Sequence, residues 1–122
     1  MKIEPRFLDT GDGHRLAYRK REGGGPTIVF LPGYASDMEG AKALALEAFA
    51  AQRDLAMLRF DYSGTGSSEG RFEDGTLERW TNEALLMLDR VTDGPVALAG
   101  SSMGGWIGLH PALPRPERVA AL

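Results

Sequence analysis

Two kinds of apolar pattern alternate along the chain: short, nearly unbroken runs, and longer stretches in which apolar side chains recur every three or four positions. Thr27 to Leu31, Leu55 to Phe60 and Val96 to Ala99 are of the first kind and read as strands covered on both faces. Ala41, Leu44, Ala45, Ala48 and Phe49 follow the second pattern, which predicts a helix laying that stripe on a sheet. Ser36-Asp37-Met38-Glu39 just before it has the spacing of a capping box. Leu77, Trp80, Ala84, Leu88 and Val91 predict a second amphipathic helix over Thr76 to Val91, with Trp80 in the core. Upstream, Arg6 to Asp9 and His14 to Arg19 flank the turn signal Thr10-Gly11-Asp12-Gly13 and read as an antiparallel hairpin, half exposed at a sheet edge. In its second arm Leu16 and Tyr18 share one face, and Arg15, Ala17 and Arg19 the other. Gly23-Gly24-Gly25-Pro26 reads as a flexible loop, and Asp61 to Gly75 as a loop dense in Gly and Ser. Val119 to Leu122 begins another apolar run.

Strand and helix therefore alternate after an opening hairpin. The expected class is α/β: a mostly parallel sheet with an antiparallel N-terminal hairpin and helices on both faces. The 122 residues fit one domain or part of one, and 43% hydrophobic with 25% charged residues suits a packed core. The net charge of −3 is mixed along the chain, without the basic stripe that nucleic acid would require. There are no cysteines, which removes disulfides, thiol nucleophiles and thiolate metal sites. With no apolar leader at Met1 to Arg6 and no run long enough for a membrane-spanning helix, the expectation is a cytoplasmic protein without a membrane span. No metal or organic cofactor is expected, and the oligomeric state is open.

Chemistry enters at Gly100-Ser101-Ser102-Met103-Gly104-Gly105. It follows the run ending at Ala99 and opens a segment, Met103 to His110, that reads as helical. Strand, tight turn and helix is the setting in which Gly100-x-Ser102-x-Gly104 becomes a nucleophile elbow. So sharp a turn needs glycine on either side of the serine, and it presents the Ser102 hydroxyl with the Met103 amide beside it. Ser101, at the neighbouring position, points away on the same geometry. The plain alternative is a Gly/Ser turn of no chemical meaning; the flanking elements favour the elbow. Gly64-Thr65-Gly66-Ser67-Ser68-Glu69 also follows a strand, but it lacks the third glycine and an immediate helix, so it is not a dinucleotide site.

Three stretches carry a resemblance. Phe30-Leu31-Pro32-Gly33-Tyr34, Phe60-Asp61-Tyr62-Ser63-Gly64-Thr65-Gly66-Ser67-Ser68 and Gly100 to Trp106 are similar, in order and spacing, to motifs of the α/β-hydrolase superfamily. Their wording resembles a subgroup of serine acyl hydrolases that includes palmitoyl-protein thioesterases and acyl-glucuronide esterases. The resemblance implies hydrolysis of an acyl ester or thioester, from a small molecule or an acylated protein, through an acyl-enzyme on Ser102. It implies an oxyanion hole built from the Met103 amide and, after the third strand, the Tyr34 amide. Pro32 stands where many members have histidine, a residue that supports the loop there. Asp61 would tie down turns in a loop that braces the active-site face.

The resemblance also exposes a gap. In this superfamily the acid and the histidine follow the nucleophile. After Ser102 the chain offers only Glu117, in a proline-rich link, and His110, which at helical rise lies about 12 Å away. His14 sits on the early hairpin, where a solvated role is expected. The expectation is therefore the N-terminal part, residues 1–122, of a single hydrolase domain, with the acid, the histidine and a lid beyond residue 122. A non-enzymatic binding or pairing module that keeps the elbow architecture is the competing reading. A haloperoxidase or C–C bond hydrolase on the same fold is a third, since fold does not fix chemistry.

Overall fold

In the computed structural model the described residues are 4–11, 14–33, 37–92, 94–100, 103, 104, 107 and 119–121. Strands β1 (Arg6–Asp9), β2 (Arg15–Arg21), β3 (Gly24–Leu31), β4 (Leu55–Phe60), β5 (Val96–Gly100) and β6 (Val119–Ala121) form one six-stranded sheet in the order β1-β2-β4-β3-β5-β6. β1 and β2 pair antiparallel, and β2 runs antiparallel to β4; β4, β3, β5 and β6 are mutually parallel neighbours. Helix α1 (Ala41–Arg53) connects β3 to β4, and α2 (Leu77–Val91) connects β4 to β5. This is the expected α/β arrangement with its N-terminal hairpin.

Side chains alternate across the sheet and divide the core in two. Val29, Leu31, Leu58, Phe60, Val96 and Leu98 point to one face, where Trp80, Ala84, Met87 and Leu88 of α2 cover them. Ile28, Phe30, Met57 and Ala99 point to the other, under Ala43, Leu46 and Ala50 of α1. The hairpin also follows its predicted division of faces: Leu16 and Tyr18 join the α2 side, and Arg19 and Arg21 reach α1-side carboxylates. It forms one edge of the sheet, as expected, but it is less exposed than expected: β1 is outermost and β2 is enclosed between β1 and β4, so Leu16 and Ala17 are fully buried.

Three local readings change. The glycine-rich stretch is not a loop throughout: Gly24 to Pro26 open β3, and the Gly24 amide donates to Asp54 O at 2.9 Å. Neighbouring Gly23 lies so close to β4 that a Cβ there would sit 2.6 Å from the Leu55 carbonyl carbon. Helix α1 starts later than the capping box implies. Its N-cap is Gly40, which makes no side-chain cap, and the Glu39 side chain goes instead to Arg19 and Arg59; Ser36 lies outside the described residues. The apolar stripe of α1 is not its inner face either. Ala41, Ala45 and Ala48 are exposed, Leu44 is 43% and Phe49 42% exposed, and Ala43 and Ala50 are the buried positions. The inner face instead carries Glu47, which pairs with Arg21 of β2 and Arg59 of β4.

α2 behaves as its periodicity predicts, apart from Leu77, which is exposed. Thr76 caps it, its hydroxyl accepting from the Arg79 amide at 3.0 Å. Trp80 is buried, with its ring beside Tyr62 and Phe72 and its indole N–H donating to Ser63 O at 3.1 Å.

Candidate active site

The parallel strands end together, and their register decides what meets there. Leu31, last in β3, pairs with Gly100, last in β5. Met103, Gly104 and Ile107 are helical; Ile107 is fully buried and Met103 packs against the α2-side core. Gly104 lies against the end of β3: a Cβ on it would stand 1.9 Å from Leu31 O and 2.7 Å from Pro32 O. Backbone oxygens cannot yield, so only glycine fits. The requirement for glycine at this position, expected from turn sharpness, thus has a definite cause, the close approach of the post-β5 helix to the β3 terminus. Pro32 and Gly33 are themselves buried.

Of the expected site residues, Met103, Gly100 and Gly104 are placed at this edge of the sheet. Ser102 and Tyr34 lie outside the described residues, as do Ser101, His110 and Glu117.

Asp61 is the hub of the neighbouring loop. It is 1% exposed, and its two carboxylate oxygens accept from the Met38 amide at 2.7 Å and the Ser67 amide at 2.8 Å. Gly66, at φ 48°, passes so near that a Cβ would meet the Asp61 Oδ2 at 2.2 Å. Burial pushes the Asp61 carboxyl above its ordinary value, and the Asp37 and Glu39 charges add to this; the two amide bonds oppose it. The loop is also sewn to the hairpin. The Ser68 hydroxyl donates to Asp61 O and accepts from the Ala17 amide, and the Glu69 carboxylate takes the Arg15 amide and guanidinium. Glu69, the residue that breaks the dinucleotide pattern, is thus a fastening point. These bonds fasten the loop to the hairpin at Arg15 and Ala17 and to the backbone at Met38.

His14 is not simply solvated. Arg79 Nη2 lies 3.0 Å from its Nδ1, and since a guanidinium only donates, that nitrogen accepts. Arg79 also donates to Ser63 Oγ and to Glu83, which in turn accepts from the Ser63 amide. A hollow of about 460 Å³ borders this cluster, lined by Thr10, Thr76, Glu78, Arg79, Asn82, Glu83 and Leu86. It draws on the hairpin turn and α2, with no residue of β3 or β5. A smaller hollow of about 260 Å³, lined in part by Phe30, Gly33 and Asp37, lies at the β3 end. Tyr62, fully buried beside Phe60, has no hydrogen-bond partner for its hydroxyl among the described residues, and burial, then the Glu83 charge, pushes its ionisation well above the ordinary phenol value. No group of three His, Cys, Asp or Glu side chains suited to a metal occurs among the described residues.

A model of the alpha/beta hydrolase family matches residues 28–122. The chain belongs to that family. It is 51% identical over 116 residues to the human palmitoyl-protein thioesterase ABHD10, mitochondrial, a match covering 95% of this chain and 38% of that protein. Among solved structures, alpha/beta hydrolase domain-containing protein 10 from mouse superposes with a TM-score of 0.93 at 46% identity, covering 95% of this chain and 46% of that one. A hydrolase from Agrobacterium vitis follows at 0.89 and 37% identity, covering 99% of this chain and 50% of its own. The chain thus spans 38% of the length of the human thioesterase. Its resemblance to the palmitoyl-thioesterase subgroup is real at the level of sequence. The expected cytoplasmic location is not supported: the mammalian thioesterases it matches are named as mitochondrial. Composition could not have decided this, because a cysteine-free chain suits any reducing compartment.

Proposed function

We propose that this chain supplies the nucleophile half of a serine hydrolase that cleaves acyl esters or thioesters. The observation that carries the reading is the register of β3 and β5 with Gly104 seated on the β3 terminus. It supports one site shared by the segment containing Ser102 and the turn containing Tyr34. Ser102 Oγ attacks the acyl carbon while a histidine takes its proton. The oxygen of the tetrahedral intermediate is met by the Met103 and Tyr34 amides, each stabilising it by about 3 kcal/mol. The intermediate expels the thiol or alcohol, which leaves with that proton, and water then clears the acyl-enzyme by the same steps in reverse roles. The histidine and its acid are supplied beyond residue 122. The substrate is a small acyl ester or an acylated protein, with long-chain thioesters favoured by the name of the human relative.

A fluorophosphonate probe tests this on the full-length gene product. Ser102-dependent labelling, abolished by Ser102→Ala, together with turnover of a palmitoyl thioester is expected. A folded protein that does not label would favour the binding-module reading.

A further inference from the structure

We propose that Arg59 is a positioning residue for the oxyanion loop, holding the far end of the segment that leaves β3. This rests on the reading of Ser102 and Tyr34 given above.

Within β4 the run Leu55 to Phe60 is apolar except for Arg59, whose side chain is 6% exposed. It lies on the α1 side with Met57 and Phe30 as neighbours in the sheet. A permanently charged group there gains little for stability over a hydrophobic residue of similar volume. What Arg59 holds is therefore the better guide to its role. Its Nη1 donates to Met38 O at 2.7 Å and to Glu39 at 3.2 Å, and its Nε to Glu47 at 3.3 Å. The other backbone group of Met38, its amide, is held by Asp61 at 2.7 Å. Met38 is 1% exposed and gripped on both sides of its Cα by side chains from β4 and the residue following it.

The near end of the same segment is fixed at Leu31 and Pro32 by Gly104. Between these anchors runs the chain that carries Tyr34. An oxyanion donor must be held within a fraction of an ångström of its productive position, and a misplacement of ~1 Å can cost ~10²-fold in rate. Arg59 has the fixed fork geometry for this: planar, always protonated and tied at its Nε to α1 through Glu47.

Arg59→Met in the full-length gene product should lower kcat, and the rate of fluorophosphonate labelling, by about 10- to 100-fold while KM for an acyl thioester changes little. Binding of a trifluoromethyl ketone, which reports on oxyanion stabilisation through its tetrahedral adduct, should weaken in parallel at a temperature well below the melting point, which itself falls because Glu39 and Glu47 lose a partner. Arg59→Lys should recover part of kcat. A folded Arg59→Met with wild-type kcat overturns the proposal, as does a loss of kcat with unchanged ketone affinity. If Arg59→Met does not fold, Arg59→Lys decides: the expectation is about a tenfold loss in kcat at constant KM, and unchanged kcat overturns it. Absence of Ser102-dependent labelling in the wild type is a different outcome. It removes the reading of the site itself, and this inference with it.

Discussion

α1 and α2 cover opposite faces of one sheet, yet only α2 meets it with the side its apolar periodicity selects. Trp80, Ala84 and Leu88 of α2 are buried against apolar strand positions, and the helix is capped by a side chain. α1 turns Glu47 inward to Arg21 and Arg59 and leaves Leu44 and Phe49 half exposed; its N-cap is a glycine with no side-chain bond. The strands dictate this. On the α2 side they present apolar residues and the uncharged Thr27 between β4 and β5, whereas on the α1 side β2 and β4 add the charged Arg19, Arg21 and Arg59. A helix that buries its most apolar stripe there would leave buried guanidinium groups unpaired, a loss larger than the gain from covering one leucine.

The comparison can be broken most severely on the α2 side. Trp80→Ala removes the largest aromatic of that core and its bond to Ser63, and should cost about 3–5 kcal/mol in urea unfolding. On the α1 side the charged contact should matter more than any apolar one. Glu47→Ala removes the carboxylate from Arg21 and one of the three acceptors of Arg59, and is expected to cost about 2–3 kcal/mol, less than a fully enclosed pair because Glu47 is 12% exposed. The double variant Glu47→Leu, Arg59→Met should be more stable than the two single losses sum to, measured as a double-mutant cycle. Thr76→Ala should cost α2 about 1 kcal/mol by the same unfolding assay, since it frees the Arg79 amide. The smallest effect is expected for Leu44→Lys or Phe49→Gln in the 122-residue chain: within about 0.5 kcal/mol, where a buried stripe would have lost several times that.

Much of the fold could be read from the sequence where one element's pattern sufficed. β1 and β4 have their predicted bounds, and Trp80 is core as periodicity required. Misreadings arose where a residue's place depended on a distant one. Glu39 could complete a capping box locally, but Arg19 and Arg59 offer it a stronger partner. His14 on a hairpin reads as solvated until Arg79, 65 positions away, is brought to it. Gly24 to Pro26 look like a linker until β4 supplies a partner strand. One signal was present throughout: a single arginine inside the apolar run of β4 announces that something polar must reach that face. In the candidate site, Gly100 and Gly104 of the predicted elbow lie at the end of β5 and against the end of β3, while Ser102 and Tyr34 lie outside the described residues. Motif spacing could not show that Gly104 is required by the Leu31 and Pro32 carbonyls, because that depends on the β3–β5 register.

That close approach bears on how such proteins can be recombined. The helical segment at Gly104 rests on another strand's backbone with no room for a methyl group. A chimera that takes residues around Gly104 from one relative and the end of β3 from another joins two surfaces shaped separately. Breakpoints that keep Leu31–Pro32 and Gly104 from a single parent should give soluble products far more often than those that split them, whatever the identity of the residues in between.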